Sequence, residues 1–349
     1  MIYYNERNKR HILLVLSIAL IGLLVCGCGD SKESVAEDLQ PASRDLFAMD
    51  TFMTMTAYGD EAEEALVEAE EEIKRLDSLL STGISTSEIS QINDKGQGDV
   101  SEDTSFLIER SKELFHDTGG IFDITIYPFM KAWGFTNDEY RVPDEKELQS
   151  LKELTGSDTI TLENGRVTLG KKGQMIDLGG IAKGYTSDRV IEIFRTHNIP
   201  HAVISLGGNV GTLNGKPDGT KWRVAVEDPK DTSSYIGIIE VVNKAVITSG
   251  GYERYFEQDG KTYHHIIDPS TGYPADKGLS SVTIVSEDAT YADGLSTSLF
   301  VMGKEKAIDF WREHKELFDM VLVEENGHVI VSSGIADAYT GKGDWERVE

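Results

Sequence analysis

Hydrophobic positions along the chain change period several times, and each change marks an element. Phe47, Met49, Thr51, Met53 and Met55 alternate with other residues, which predicts a strand opening folded sequence near Asp45. From Asp60 the period lengthens. Leu66, Ala69, Ile73, Leu76 and Leu80 recur on one face with Glu and Lys on the other, and Asp60 with Glu63 has the spacing of a capping box. Helices are also predicted from Asp103 to Thr118, closed by Gly119 and Gly120, and from Asp144 to Thr155, closed by Gly156. Two hairpins are signalled by Asn-Gly turns, one over Thr159 to Leu169 around Asn164-Gly165 and one over Met320 to Ser332 around Asn326-Gly327.

Further strand-like runs lie at Ala202 to Leu206, Trp222 to Val226, Ile236 to Val242, Ala245 to Thr248 and Ser281 to Val285. Helical patterns fall at Ala182 to Thr196, Thr290 to Val301 and Lys304 to Lys315. The order is mixed and not strictly alternating, which predicts an α+β fold with mixed, largely antiparallel sheets and packed helices instead of a doubly wound sheet. No internal repeat and no interior linker interrupts the pattern, so residues 45–349 read as one compact, two-lobed body.

The amino-terminal pattern is of another kind. Arg7, Lys9 and Arg10 precede the uncharged run Ile12 to Val25, which is short for a bilayer span of ~20 residues and suited to a signal h-region. Val25-Cys26-Gly27-Cys28 resembles a bacterial lipobox. Residues 1–27 are therefore expected to be a lipoprotein signal peptide and Cys28 the lipidated first mature residue, with an uncleaved anchor helix as the alternative. Residues 28–44 are polar, acidic and interrupted by Pro41, the composition of a flexible tether. Either way the body is expected at the cell membrane, facing the extracytoplasmic side.

Charge narrows the partners. The 349 residues include 34 Lys and Arg against 60 Asp and Glu, a formal charge of -26. A field of this sign repels phosphate backbones and excludes a nucleic-acid binder working through a basic face. It also disfavours adhesion to anionic headgroups, so membrane attachment has to come from the lipid. The 2 cysteines, Cys26 and Cys28, are both amino-terminal. The body therefore contains no disulfide, no Cys-ligated zinc and no thiol nucleophile.

Candidate chemistry lies in three segments. Asp177-Leu-Gly-Gly-Ile-Ala-Lys183 passes from a strand-like end into a helix, where Gly179 and Gly180 permit tight geometry, helix-end amides can face an anion and Lys183 adds charge. It is neither a Walker A loop nor a dinucleotide fingerprint, and a glycine-rich turn with a solvated lysine fits its spacing equally well. His264 and His265 stand adjacent on an extended run, so they point to opposite faces and at most one serves a given site. Asp268-Pro-Ser-Thr-Gly272 beyond them is a good turn, with structural duty the simpler reading of Asp268. Asp293 and Thr297, four apart on one helix face, both bear oxygen and suit a hard cation such as magnesium, although an acidic residue early in a helix also serves the dipole alone.

Taken together, these segments and others resemble the ApbE family of FAD:protein FMN transferases. The matching text runs from Phe47 almost to Met302: Met49-Asp-Thr51, Leu79-Leu-Ser-Thr82, Glu88-Ile-Ser-Gln-Ile-Asn93, Phe122-Asp-Ile-Thr-Ile-Tyr-Pro128 and Trp133-Gly-Phe135. It continues with Asp177-Leu-Gly-Gly-Ile-Ala-Lys-Gly-Tyr185, Ser205-Leu-Gly-Gly-Asn209, Thr248-Ser-Gly-Gly251, His265-Ile-Ile-Asp-Pro-Ser-Thr-Gly272 and Ala292-Asp-Gly-Leu-Ser-Thr-Ser298. The resemblance implies a roll related to the T-fold and a Mg2+-dependent reaction. FAD is the substrate, its pyrophosphate is split, AMP leaves, and FMN becomes joined through its phosphate to a threonine or serine of an exported acceptor protein. Carried over residue by residue, Met49 falls at the flavin end, and Ala132, Trp133 and Gly134 on a loop along the cofactor. Asp177 and Lys183 fall on cofactor positions. The Gly180 carbonyl, Asp293 and Thr297 fall on the metal site, with Ser296 a nearby oxygen of open role. His265, with Ile266 and Ile267, falls beside the reacting phosphate, so His265 and Asp293 are the implied catalytic residues.

Two departures accompany the match. The family commonly reads Met-Gly-Thr where this chain has Met49-Asp50-Thr51, and many members carry an aromatic residue where this chain has Gly83. Loss of that ring removes a stacking surface for the cofactor, with two alternatives: a lower affinity, or substitution by another aromatic such as Tyr127 or Tyr252. Alternatives to the transferase are a Mg2+-dependent FAD pyrophosphatase giving FMN and AMP, or a flavin-binding lipoprotein without chemistry.

Overall fold

The computed structural model describes residues 39–349, so the expected signal peptide 1–27, Cys28 and the tether up to residue 38 lie outside the described residues. The fold opens earlier than Asp45. Strand β1 (Pro41–Ala48) pairs antiparallel with β2 (Thr51–Tyr58), from Pro41 opposite Tyr58 to Ala48 opposite Thr51. The tether expected over 28–44 is therefore cut short, because Pro41 to Arg44 have strand partners, and a proline opening an edge strand costs no ladder bond. The single strand expected through Met49 is a hairpin instead. Met49 and Asp50 form its tight turn at φ 48° and 58°, the left-handed geometry that matches strand twist but that no Asn-Gly pair announces here.

Helix α1 (Ala62–Leu80) buries Leu66, Ala69, Ile73 and Leu76 as its pattern predicts, but the capping box at Asp60 does not form: Glu61 stands at the N-cap without a side-chain bond. Acidic Glu63 and Glu64 in the first turn complement the helix dipole instead. Helix α2 (Glu88–Lys95) and helix α3 (Glu102–Asp117) are capped by Ser87 and Ser101, with strand β3 (Gln97–Asp99) between them. Helix α4 (Tyr127–Trp133) is apolar on nearly every side and has no polar face to betray its period. Helix α5 (Glu145–Lys152) is capped by Asp144, and strands β4 (Thr161–Glu163) and β5 (Arg166–Thr168) form the expected hairpin, with Asn164 and Gly165 at φ 53° and 73°.

Helix α6 (Ala182–Thr196) leads into β6 (His201–Leu206), β7 (Asn209–Leu213), β8 (Trp222–Asp228), β9 (Asp231–Val241) and β10 (Ala245–Gly250). The small hairpin β11 (Tyr255–Gln258) and β12 (Lys261–His264) precedes β13 (Leu279–Ser286), helix α7 (Ala289–Met302) and helix α8 (Lys304–His314). The chain closes with β14 (Phe318–Glu324), β15 (Val329–Ser332), β16 (Tyr339–Gly341) and β17 (Trp345–Val348).

A 9-stranded sheet in the order β1-β2-β6-β7-β10-β13-β14-β15-β17 forms the spine. Every pair in it is antiparallel except β15 with β17, which agrees with the largely antiparallel α+β expectation. On one face α1 and α6 bury Leu66, Ile73, Val190 and Phe194 against Met53, Met55 and Ile204 of the sheet. Farther along, α7 and α8 cover Ile284, Met320 and Leu322. A 3-stranded sheet, β16-β9-β8, covers part of the opposite face through Trp222, Val224 and Ile239. No described helix is long and apolar enough to cross a membrane.

Asp50 holds a conformation in which a side chain pays a steric cost that glycine does not. Asp50→Gly is expected to raise the unfolding free energy by about 0.5–1 kcal/mol, read from urea denaturation of the two proteins side by side. An unchanged or lower midpoint would mean that the turn stores no strain.

Candidate functional site

The site is built where α6 and α7 meet. Gly184 lies in the first turn of α6, and a Cβ placed there would stand 2.2 Å from the Ala289 carbonyl oxygen and 2.6 Å from the Asp293 Cβ. Only glycine lets the two backbones approach this closely. The approach brings the Asp293 carboxylate of α7 onto the start of α6: Oδ2 accepts the Gly184 amide at 2.8 Å, and the Lys183 amide bonds the same side chain. Oδ1 accepts the Asn209 amide group at 3.2 Å. The expectation that helix-end amides stand open to a phosphate is thus corrected, because the protein supplies its own anion to cap them. Burial holds the Asp293 carboxyl above the usual carboxylate range, opposed by the Lys183 charge and these bonds.

The arrangement is reciprocal. Asp188 on α6 accepts the amides of Ala289 and Thr290 at 3.1 and 2.8 Å and the Thr290 hydroxyl at 2.6 Å, so each helix lends a carboxylate to the first turn of the other. Burial pushes the Asp188 carboxyl up to about 6.

One turn beyond Asp293, the Thr297 hydroxyl lies 3.2 Å from Ser249 Oγ at the end of β10. Ser249 also bonds Ser296 Oγ at 2.7 Å, and Ser296 donates to the Asp293 carbonyl at 2.8 Å. Ser296, fully buried, therefore fastens α7 to β10 and is not a free oxygen. Gly180 sits in the turn before α6, where Asp177 Oδ1 accepts the Gly179 amide at 2.8 Å. A carboxylate, a hydroxyl and a carbonyl make a set of hard oxygen donors that fits magnesium. Among the described residues no group of three or more His, Cys, Asp or Glu side chains could hold a metal alone, so this set leaves room for phosphate oxygens and water.

His265 directly follows β12. Its amide and its Nδ1 both face the Arg254 carbonyl, at 3.0 and 3.2 Å. A carbonyl only accepts, so the ring proton lies on Nδ1 and the Nε2 lone pair is left for chemistry. Burial, and then the charges of Arg254 and Lys183 among other groups, push its pKa down to about 3, so the ring is neutral. His264 faces the other way, as the alternation required: its Nε2 bonds the Ala275 carbonyl at 2.9 Å and its ring meets Phe300 edge-on. Asp268 is structural, accepting the Ser270 amide and hydroxyl at 2.8 and 2.6 Å.

The remaining expected residues divide. Burial raises the Asp177 carboxyl, and the Arg254 charge opposes the shift. Met49 occupies the hairpin turn with its sulfur 3.6 Å from the Thr186 hydroxyl, one turn along α6 from Lys183. Ala132, Trp133 and Gly134 were expected on a loop; Ala132 and Trp133 instead close α4, and Gly134 caps it in left-handed geometry. Trp133 is fully buried, donates Nε1–H to the Gly272 carbonyl at 2.8 Å and packs against Tyr263 and Phe256, so its ring is core. Ile266 and Ile267 are likewise buried and leave only backbone for a cofactor. The two tyrosines named for the missing ring at position 83 lie in different surroundings. Tyr127 is buried with its hydroxyl bonded to Thr82, while the Tyr252 ring lies against Gly250 and its hydroxyl bonds Glu227.

Sequence reasoning placed Asn209 and Ser249 in matching segments, and Glu253 and Arg254 in the run Ser249 to Tyr255 ahead of the histidines, but gave none of the four a role. Burial, opposed by the Lys183 charge and reinforced by Glu227 and Asp293, pushes the Glu253 carboxyl up to about 7. The signals available were the glycine pairs before Asn209 and after Ser249 and the match of those segments to the family. A surface hollow of about 660 Å³ between Arg195, Pro200, Asn214 and Asn243 shares no residue with this cluster and has no such chemistry.

Against known proteins, the profile of the ApbE family matches residues 49–322. A protein of Klebsiella pneumoniae (strain 342) named FAD:protein FMN transferase is 36% identical over 267 residues, 75% of this chain and 82% of its own. The crystal structure of the ApbE protein from Thermotoga maritima is 35% identical and superposes with a TM-score of 0.80, over 86% of this chain and 99% of that one. The flavin transferase ApbE from Vibrio cholerae is 27% identical with a TM-score of 0.77, again over 86% and 99%.

Two outcomes follow from the geometry. Gly184→Ala is expected to cost about 1–3 kcal/mol of stability in urea denaturation, since two backbones must part to admit one methyl group. For His265, the folded pKa near 3 lies below the unfolded value of about 6.5, so its stabilising contribution is complete above pH 6.5 and lost as pH falls toward 3. In His265→Gln, stability measured at stepped pH should decline less steeply between pH 6.5 and 4 than in the parent; equal slopes would show that the ring titrates normally.

Proposed function

This chain belongs to the ApbE family and is a flavin transferase that moves FMN from FAD onto proteins, and from that premise we propose the finer chemistry of the reaction. The acceptor group is a threonine or serine hydroxyl of exported proteins, the linkage is through the FMN phosphate, AMP is released, and magnesium is required. The observation carrying this reading is that Asp293 and Thr297 stand one turn apart on α7 where it meets the start of α6, and that the Lys183 charge of α6 acts on both Asp293 and the neutral His265, whose Nδ1 is turned to a carbonyl.

Bound there, magnesium would supply charge neutralisation on the non-bridging oxygens of the diphosphate. The protein's own groups do the rest. Lys183, in none of the ion pairs among the described residues, is available to a substrate phosphate and also acts on Asp293 and His265. His265, oriented through the Arg254 carbonyl, takes the hydroxyl proton on Nε2 as the new O–P bond forms, and the departing AMP keeps the electron pair of the P–O bond that breaks. The resting ring is a weak base. An anionic diphosphate beside it acts against the two cations that depress it and raises its affinity for the proton.

We place the enzyme on the extracytoplasmic side of the cell membrane, held by a lipid on Cys28 after removal of residues 1–27. The basic start, the uncharged run Ile12 to Val25 and the Val25-Cys26-Gly27-Cys28 sequence support this reading, as does a body too acidic to adhere to anionic lipid unaided.

Incubation with FAD, Mg2+ and a domain carrying an acceptor threonine is expected to add the mass of an FMN phosphoester to the acceptor, with EDTA abolishing the gain. His265→Ala and Asp293→Ala should each slow transfer by roughly 100-fold or more. FMN and AMP appearing beside unmodified acceptor would instead identify a pyrophosphatase, and FAD that stays bound and intact would identify a binding protein.

A further inference from the structure

Arg254 enters the reaction above only through its carbonyl, yet its side chain leads elsewhere. The guanidinium donates to the Phe135 carbonyl just beyond α4, bonds the Tyr140 hydroxyl, and its charge acts on both Asp177 and His265. It therefore stands among three separate segments: the end of α4, the turn before α6, and the strand end bearing His265. Other arginines of the body, such as Arg44, Arg75 and Arg189, are engaged with carboxylates; Arg254 is in none of the ion pairs among the described residues. Its hydrogen-bond acceptors are neutral oxygens. A solvent-exposed guanidinium in no ion pair, with the Asp177 carboxylate acting on it only at longer range, is open to a further anion.

Lys183 is likewise in none of the ion pairs among the described residues, and His265 feels both cations. A dinucleotide diphosphate has two phosphates, each with its own charge. Lys183 belongs to the junction that holds the oxygen donors Asp293 and Thr297, so it serves one phosphate. We propose that Arg254 is the second cationic contact of the FAD diphosphate, exchanging the Phe135 carbonyl for a phosphate oxygen when FAD binds and neutralising the charge that grows on the AMP phosphate as that group leaves. The inference rests on the transferase reading. In the step, the acceptor oxygen bonds the FMN phosphorus, the P–O bond to AMP breaks with its electron pair going to AMP, and the proton goes to His265; Arg254 neither gives nor takes a proton. Two hydrogen bonds from one planar fork also orient the leaving phosphate, which a lysine does less well.

The test uses the full chain in detergent with Mg2+, as Arg254→Gln and Arg254→Lys. FAD and riboflavin are titrated by flavin fluorescence, and transfer to an acceptor domain is followed at varied FAD. Arg254→Gln should lower kcat/KM for FAD about 100-fold while leaving riboflavin affinity within twofold, because riboflavin has no phosphate. Arg254→Lys should recover about 10-fold of that loss, and added guanidinium should partly restore Arg254→Gln. A merely structural Arg254 would weaken FAD and riboflavin alike, and that result, or an unchanged kcat/KM, would overturn the proposal. A parent protein that binds FAD but modifies no acceptor would count against the transferase reading instead; the FAD-against-riboflavin comparison then still decides whether Arg254 meets phosphate.

Discussion

Two helices that cap each other hold this protein's chemistry in place. Asp293 of α7 closes the first turn of α6 and Asp188 of α6 closes the first turn of α7, each carboxylate taking amides that would otherwise be unpaired. Burying two carboxylates is costly, and charge-assisted bonds to aligned amides are among the few arrangements that offset the cost. The exchange fixes the rotation of each helix about its own axis. Lys183, Asp293 and Thr297 are thereby set by backbone geometry, and the absence of a side chain at Gly184 is what allows it. Around this junction the sheet only needs to deliver two polar groups, Asn209 from β7 and Ser249 from β10, and it does so from neighbouring strands.

That mutual capping also explains what the sequence could and could not disclose. Helices α6, α7 and α8 and both Asn-Gly hairpins were legible because period and turn chemistry are local properties. The partner of the Gly184 amide is 109 residues away, and no local signal states which anion a helix start will meet. Read alone, the glycine-rich turn looked like an open phosphate cradle, when the open groups are the remaining lone pairs of the carboxylate that fills it. Other misses have the same local cause. The turn at Met49 and Asp50 uses left-handed residues that carry side chains, α4 lacks a polar face, and Asp60 has the spacing of a cap without the geometry.

His264 and His265 illustrate how little sequence distance separates a packed ring from one that lies under the influence of two cations. Alternation along an extended segment turns one ring to Ala275 and Phe300 and the other to the Arg254 carbonyl under the influence of two cations. The family motif identified which was which; extended geometry required only that they differ. Trp133 is the converse case, a residue of the motif whose ring is wholly committed to packing, so whatever that segment offers a cofactor comes from its backbone.

The 9-stranded sheet begins with the first strand of the described chain and ends with the last, so β1 and β17 are its two outer edges. With strands about 4.8 Å apart, the two ends of the body are separated by roughly 35–40 Å across the hydrogen-bonding direction. A pair of dyes at the termini of this thiol-free body would act as a ruler laid over every strand in turn. Fraying at either edge, or parting of any one pair between them, would be read as a change in a single length.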